Sequence, residues 1–85
     1  MEIRTAVLAT CRDVAREQRK QLVQLSDDLP LLESGLDSLC IAVIVARMDD
    51  FLGFDPFDTK DPIDFPVTVG DFIAFYEHAA AARFA

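Results

Sequence analysis

Apolar residues recur at three- and four-residue steps through Ile3, Val7, Cys11, Val14 and Ala15, with Arg and Glu between them. That spacing gathers one face of an α-helix and predicts helix one over residues 3–18. The pattern is lost over residues 19–37. There Ser26-Asp27-Asp28 is turn-forming, Pro30 disfavours helix before it, and Gly35 punctuates the end. The expectation is a long, structured loop held down by Leu22, Leu25, Leu29, Leu31, Leu32 and Leu36.

Helix two is predicted to begin at Asp37 or Ser38, both good N-cap types, and to run to about Leu52, with Gly53 as its stop. Ile41-Ala42-Val43-Ile44-Val45 is rich in β-branched residues and reads equally as a buried strand. Length decides for helix, because no turn signal interrupts residues 38–52 and an uninterrupted stretch of that size is long for a strand. On a helix, Ile41, Ile44, Val45, Met48 and Leu52 share one face and Leu39, Ala42, Val43 and Ala46 another. The first is expected to be core. The second either docks a partner or packs under a loop.

Residues 53–67 hold Pro56, Pro62 and Pro66 and the spaced acids Asp55, Asp58, Asp61 and Asp64. So long a connection without structure is uncommon, and a short helical turn is expected around residues 58–64. Thr68 followed by Asp71 forms a capping box with Asp in place of Glu, and the apolar set Phe72, Ile73, Phe75, Tyr76 and Ala79 follows. The last helix is therefore predicted over residues 69–82. The seven Phe, at 51, 54, 57, 65, 72, 75 and 84, read as core and loop anchors.

Eighty-five residues make one domain, and 52% hydrophobic content suffices for its core. The net charge of -7 disfavours nucleic acid and anionic membrane surfaces and favours partners with basic patches. Bases outnumber acids only in residues 1–25; the acidic part comes later. Cys11 and Cys40 lie in apolar stretches without metal-ligand spacing, as buried free thiols do. The start of the chain lacks the pattern of a secretory signal, so the cytoplasm is the expected compartment. The longest apolar run, residues 39–46, is far too short to cross a bilayer. The aspartates of residues 55–64 lack the alternation and terminal Glu of a calcium loop. Ser38 and the lone His78 make no hydrolase signature.

One segment carries candidate chemistry. Leu32-Glu33-Ser34-Gly35-Leu36-Asp37-Ser38-Leu39 sets a hydroxyl at a helix start, where unpaired N–H groups and the helix dipole favour a phosphate. Gly35 permits an unusual backbone angle just upstream, and Leu36 and Leu39 anchor the two sides of the turn. On chemistry alone, a Ser at such a place in a helical protein is usually only a cap.

Gly35-Leu36-Asp37-Ser38-Leu39 resembles the Gly-x-Asp-Ser-Leu motif at the phosphopantetheine site of acyl carrier proteins. It follows an opening helix and a long loop, and precedes Gly53 and Thr68-Val69-Gly70-Asp71, so the resemblance spans nearly the whole chain. It implies an all-α fold, a small four-helix bundle of three main helices and one short one, in a single domain over residues 1–85. It further implies that Ser38 receives 4′-phosphopantetheine covalently from coenzyme A through a phosphopantetheinyl transferase. The arm then carries acyl thioesters for fatty-acid, polyketide or specialised lipid synthesis. The domain itself would catalyse nothing, hold no metal and act as a monomer serving acyl-loading ligases, synthases or acyltransferases, without nucleic acid or membrane insertion.

By the same resemblance Asp37 steers the transferase and its metal, and Asp49 and Asp50 fall where the family's recognition helix has late acids. Val43 stands where that helix carries an early acid, and Arg47 adds a base. Partner docking is therefore expected to lean on Leu39, Ala42, Val43 and Ala46 rather than on charge. An acyl chain is expected between helix two and the last helix. The acid before Ser38 favours an acyl over a peptidyl carrier. The competing expectation is a small acidic helical adaptor that binds a protein through helix two, with Ser38 only its cap.

Overall fold

Three α-helices carry the fold of the computed structural model, which describes residues 2–53 and 65–84, with side chains through residue 82. They are α1 (Ile3–Glu17), α2 (Ser38–Leu52) and α3 (Val69–Phe84), with a 3₁₀ turn at Leu31–Glu33 between the first two. The all-α class expected from the sequence is the observed one. The short helix expected around residues 58–64 lies outside the described residues.

Each helix ends where local chemistry stops it. Past Glu17, Arg19 turns left-handed (φ 57°), Arg19 N–H donates to Arg16 O at 3.2 Å and Lys20 N–H to Ala15 O at 2.7 Å. This is the double bond pattern that closes a helix C-terminus, here built without glycine. The Asp37 carboxylate accepts the Cys40 N–H at 2.8 Å to open α2. Gly53, left-handed at φ 81°, closes it by donating to Asp49 O at 2.8 Å. The capping box before α3 forms both ways: Asp71 N–H to Thr68 Oγ1 at 3.0 Å and Thr68 N–H to Asp71 Oδ2 at 3.3 Å. Capped at both ends, α2 tolerates its β-branched centre. The helix resolves the strand ambiguity of residues 41–45.

α1 packs against both α2 and α3. Its buried residues Val7, Cys11, Val14 and Ala15 meet Cys40, Ile41, Ile44, Met48 and Leu52 of α2 and Phe72, Ile73, Tyr76 and Ala80 of α3 in one cluster. Phe72 and Tyr76 meet edge to face with centroids 5.1 Å apart, a contact worth about 0.5–1.5 kcal/mol beyond the buried area. Val45, expected on the core face, is half-buried.

The connection from α1 to α2 is tied down by backbone. Val23 N–H donates to Ser34 O at 3.0 Å, and Leu31 N–H to Val67 O at 2.8 Å. Val69 N–H then donates to Leu29 O and Gly70 N–H to Asp27 O, both at 2.8 Å. Pro30 and Thr68 form the bridge between these two stretches. Leu31 and Leu36 are buried and Leu22, Leu25 and Leu29 half-buried, as expected of anchors. Leu32 is not one of them, at 72% exposed, because the 3₁₀ turn that buries Leu31 points its neighbour outward. Of the phenylalanines expected as core and loop anchors, Phe72 is buried and Phe75 half-buried, whereas Phe51 and Phe65 are 44% and 55% exposed. Phe54 and Phe57 lie outside the described residues, and so does the side chain of Phe84.

Gly35 makes the tightest of these approaches. At φ 104° it already occupies backbone space that side-chain-bearing residues avoid, and a Cβ there would stand 2.3 Å from Gln21 O. Gly53 has a similar angle but nothing within 4 Å of a would-be Cβ. Gly53→Ala should therefore cost only the left-handed angle, about 1–2 kcal/mol, while Gly35→Ala adds a backbone clash and should cost about 3 kcal/mol or more. Urea denaturation of the two variants checks this, and equal losses would mean that the approach of residue 21 does not constrain the fold.

Candidate functional site

Ser38 is the first residue of α2 rather than its cap. Sequence left Asp37 and Ser38 open as caps; Asp37 takes the role because its carboxylate reaches the Cys40 N–H. The other Asp37 oxygen receives the Lys20 ammonium at 3.1 Å. Hydrogen bonding from Cys40, through its backbone N–H first and then its side chain, and from Lys20 after it holds the Asp37 carboxyl down at about 2. Asp37 is thus engaged twice within its own chain, whereas Ser38 is exposed and its hydroxyl makes no hydrogen bond among the described residues.

Beside Ser38 runs a groove of about 880 Å³. Pro30, Leu31 and Leu32 form one wall, Ile41, Ala42 and Val45 of α2 a second, and Phe65, Pro66 and Val67 a third. Among the described residues that line it, Ser38 is the one polar residue. The cavity was expected between α2 and α3. Instead it lies against the segment that leads into α3, because the backbone pairing of residues 29–31 with 67–69 lays those two stretches side by side.

Ser34, which the sequence reading passed over, is fully buried and organises the turn ahead of the site. Its hydroxyl donates to Leu31 O and accepts the Leu36 N–H at 3.3 Å. The signal was its place three residues after Leu31, a spacing at which Ser bonds back to the chain. Phe65, Pro66 and Val67 gave no such signal, since only a distant backbone pairing brings them to Ser38.

The expected docking residues of α2 divide. Leu39, at 62% exposure, and Ala42 and Ala46 face solvent, with Asp50 exposed near the end of the helix and Asp49 half-buried. Val43 does not belong to that open stripe: it is half-buried and packed against the core. Arg47 presents no bare charge either, since Glu17 of α1 grips its guanidinium through two bonds of 2.6 and 2.7 Å. Those hydrogen bonds also lower the Glu17 carboxyl below its usual value.

No known family, curated protein or solved structure matches the chain. The site has to be read from its own chemistry. Both cysteines are buried, and burial pushes the Cys11 thiol up to about 11, which makes it a poor nucleophile at neutral pH. Among the described residues no cluster of His, Cys, Asp or Glu is arranged to hold a metal, and His78 lies exposed on α3 beside a second groove of about 690 Å³. No helix of the described residues is long and apolar enough to cross a membrane. What remains is an exposed, unencumbered hydroxyl at a helix start, at the edge of an apolar trough.

Removing the two neighbours of that start should have opposite consequences. Ser38→Ala deletes no bond and should stay within about 0.5 kcal/mol of wild type. Asp37→Ala deletes the cap and should unfold at lower urea at pH 7. Because folding lowers the Asp37 carboxyl from 3.8 to about 2, its contribution is complete above the unfolded value and fades as pH falls through the folded one. Urea midpoints measured from pH 5 to pH 2 should therefore converge for Asp37→Ala and wild type. A gap that holds constant over that range would mean the ionised carboxylate is not the cap.

Proposed function

We propose that this chain is an acyl carrier protein whose Ser38 is the attachment point of 4′-phosphopantetheine. The observation that carries the reading is the state of Ser38: its hydroxyl is exposed, Asp37 has taken over the capping role, and among the described residues Ser38 is the only polar one lining an apolar groove. A Ser kept solely as a cap would be making the cap bond.

The surroundings fit such a group. A phosphodiester on Ser38 would lie at the start of α2, where free backbone N–H groups and the dipole favour an anion. When bound, the arm supplies a terminal thiol that holds an acyl group as a thioester; the chain's own buried thiols are unsuited to that task. Loading forms a bond from Ser38 Oγ to phosphorus and breaks the pyrophosphate link of coenzyme A. The nucleotide leaves, and the hydroxyl proton passes to a base of the phosphopantetheinyl transferase. The residues of this chain then hold the attachment point still and offer the groove walls to an apolar cargo.

Ligases, synthases or acyltransferases that load and unload the cargo would meet Leu39, Ala42 and Ala46 on α2. The exposed groove rim of Leu32, Phe65 and Val67 lies alongside. With Arg47 neutralised by Glu17, the acids on this helix are Asp49 and Asp50 near its end, so apolar contact outweighs charge in the docking. The rim also favours a second reading, a small acidic adaptor that binds a protein partner there and needs no modification at Ser38.

One experiment separates the two. Coenzyme A and a broad-specificity transferase should add a single phosphopantetheinyl mass to the wild-type chain and none to Ser38→Ala, as intact-mass spectrometry would read directly. Absence of the increment in wild type, or its persistence in Ser38→Ala, would overturn the carrier reading. A chain that stays unmodified yet keeps a partner bound through the rim would be an adaptor.

A further inference from the structure

Lys20 rests on the acid that precedes Ser38, and the backbone keeps it there. Residues 20–23 run beside residues 34–37: Val23 N–H bonds Ser34 O at 3.0 Å, and Gln21 O abuts Gly35 so closely that a Cβ would stand 2.3 Å away. Lys20 N–H meanwhile closes α1 on Ala15 O at 2.7 Å. With its own residue fixed from both directions, Lys20 extends its ammonium to Asp37 Oδ2 at 3.1 Å. The other oxygen is occupied by the Cys40 N–H, so Asp37 has no oxygen that lacks a partner. Arg4, Arg16 and Arg47 are committed elsewhere, to Asp27, Asp13 and Glu17.

We propose that Lys20 is a specificity-determining residue of the Ser38 site: it masks Asp37, and an enzyme that modifies Ser38 must displace the Lys20 ammonium before its own cation can take that carboxylate. This rests on the reading of Ser38 as the attachment point. Both partners are partly exposed, 41% for Lys20 and 47% for Asp37, so the pair is weak enough for a docking enzyme to open. It is also strong enough to tax every encounter that depends on a bare acid. Enzymes that dock on the apolar rim evade the tax, and those that seek a negative charge beside the serine meet a neutralised pair.

The test follows loading of the full chain by coenzyme A and a broad-specificity phosphopantetheinyl transferase, for wild type, Lys20→Met, Lys20→Arg and Arg12→Met. Arg12 is exposed on α1, so its loss removes the same charge without unmasking Asp37. Lys20→Met should raise kcat/KM about two- to five-fold at low salt, through KM, with a smaller gain at physiological salt. Lys20→Arg should stay near wild type, and Arg12→Met should fall short of Lys20→Met. In the unloaded protein, an NMR titration of the Asp37 carboxyl should give a higher midpoint in Lys20→Met than in wild type. Equal gains from Lys20→Met and Arg12→Met, no gain from Lys20→Met, or an unmoved Asp37 midpoint would each overturn the masking while leaving the attachment reading intact. Failure of wild type itself to load would overturn the attachment reading and the masking with it.

Discussion

The contact on which the site depends is the approach of the Gln21 backbone to Gly35. The connection between α1 and α2 has only a 3₁₀ turn of its own, yet its backbone groups still need partners wherever water is excluded. The chain meets that demand by laying two irregular stretches against others, residues 20–23 along 34–37 and residues 27–31 along 67–70. Each pairing passes through a glycine. A side chain on Gly35 would strike Gln21 O, and one on Gly70 would stand 2.8 Å from Asp27 O. With both in place, Leu31 and Leu36 reach the core, Ser34 is sealed beneath the turn, and α2 starts at a fixed point beside the groove. The glycine of the Gly35-Leu36-Asp37-Ser38-Leu39 segment is thus explained by packing before any chemistry is invoked.

What was legible in the sequence was whatever local chemistry decides. The limits of α2 follow from Asp37 and Gly53, and the start of α3 from Thr68 and Asp71, because each cap is a bond between residues three or four apart. The face of α2 carrying Ile41, Ile44 and Met48 followed from helical period in the same way. The groove was not legible, because its walls come from three separated stretches that only long-range backbone pairing brings together. The same holds for Leu32 against Leu31 and for Val43 against Ala42. Adjacent apolar residues have similar propensities, and a turn or a neighbouring helix, absent from any local window, decides which one turns inward.

The uneven charge along the chain takes on a structural meaning. Bases concentrated in the first part of the sequence pair with acids further on: Arg4 of α1 with Asp27 of the loop, and Lys20 with the cap of α2. Glu17 and Arg47 reverse the signs and bind the end of α1 to α2. All are exposed and screened by salt, so they add little to stability. Their effect is on charge display, since each pair removes a cation and an anion from the surface offered to a partner. Around Ser38 this leaves apolar surface where the composition alone would suggest an acidic one.

Scattered exposed hydrophobic residues are normal on any protein, and Val23 or Phe51 needs no explanation. Leu32, Phe65 and Val67 are a different case. They come from two stretches far apart in the chain, each is more than half exposed, and all three line the groove that contains Ser38. In so small a domain that area contributes to folding only if it is buried, and here it is withheld from the core. Ala42 belongs both to the groove wall and to the exposed stripe of α2, where its small side chain leaves the trough continuous with the open face of the helix. The backbone that holds this apolar surface open also presents the Ser38 hydroxyl, which makes no hydrogen bond among the described residues, at its edge. The same two glycine-mediated pairings that make the fold possible create that surface, so the placement of the Ser38 hydroxyl, the groove and its rim stand or fall together.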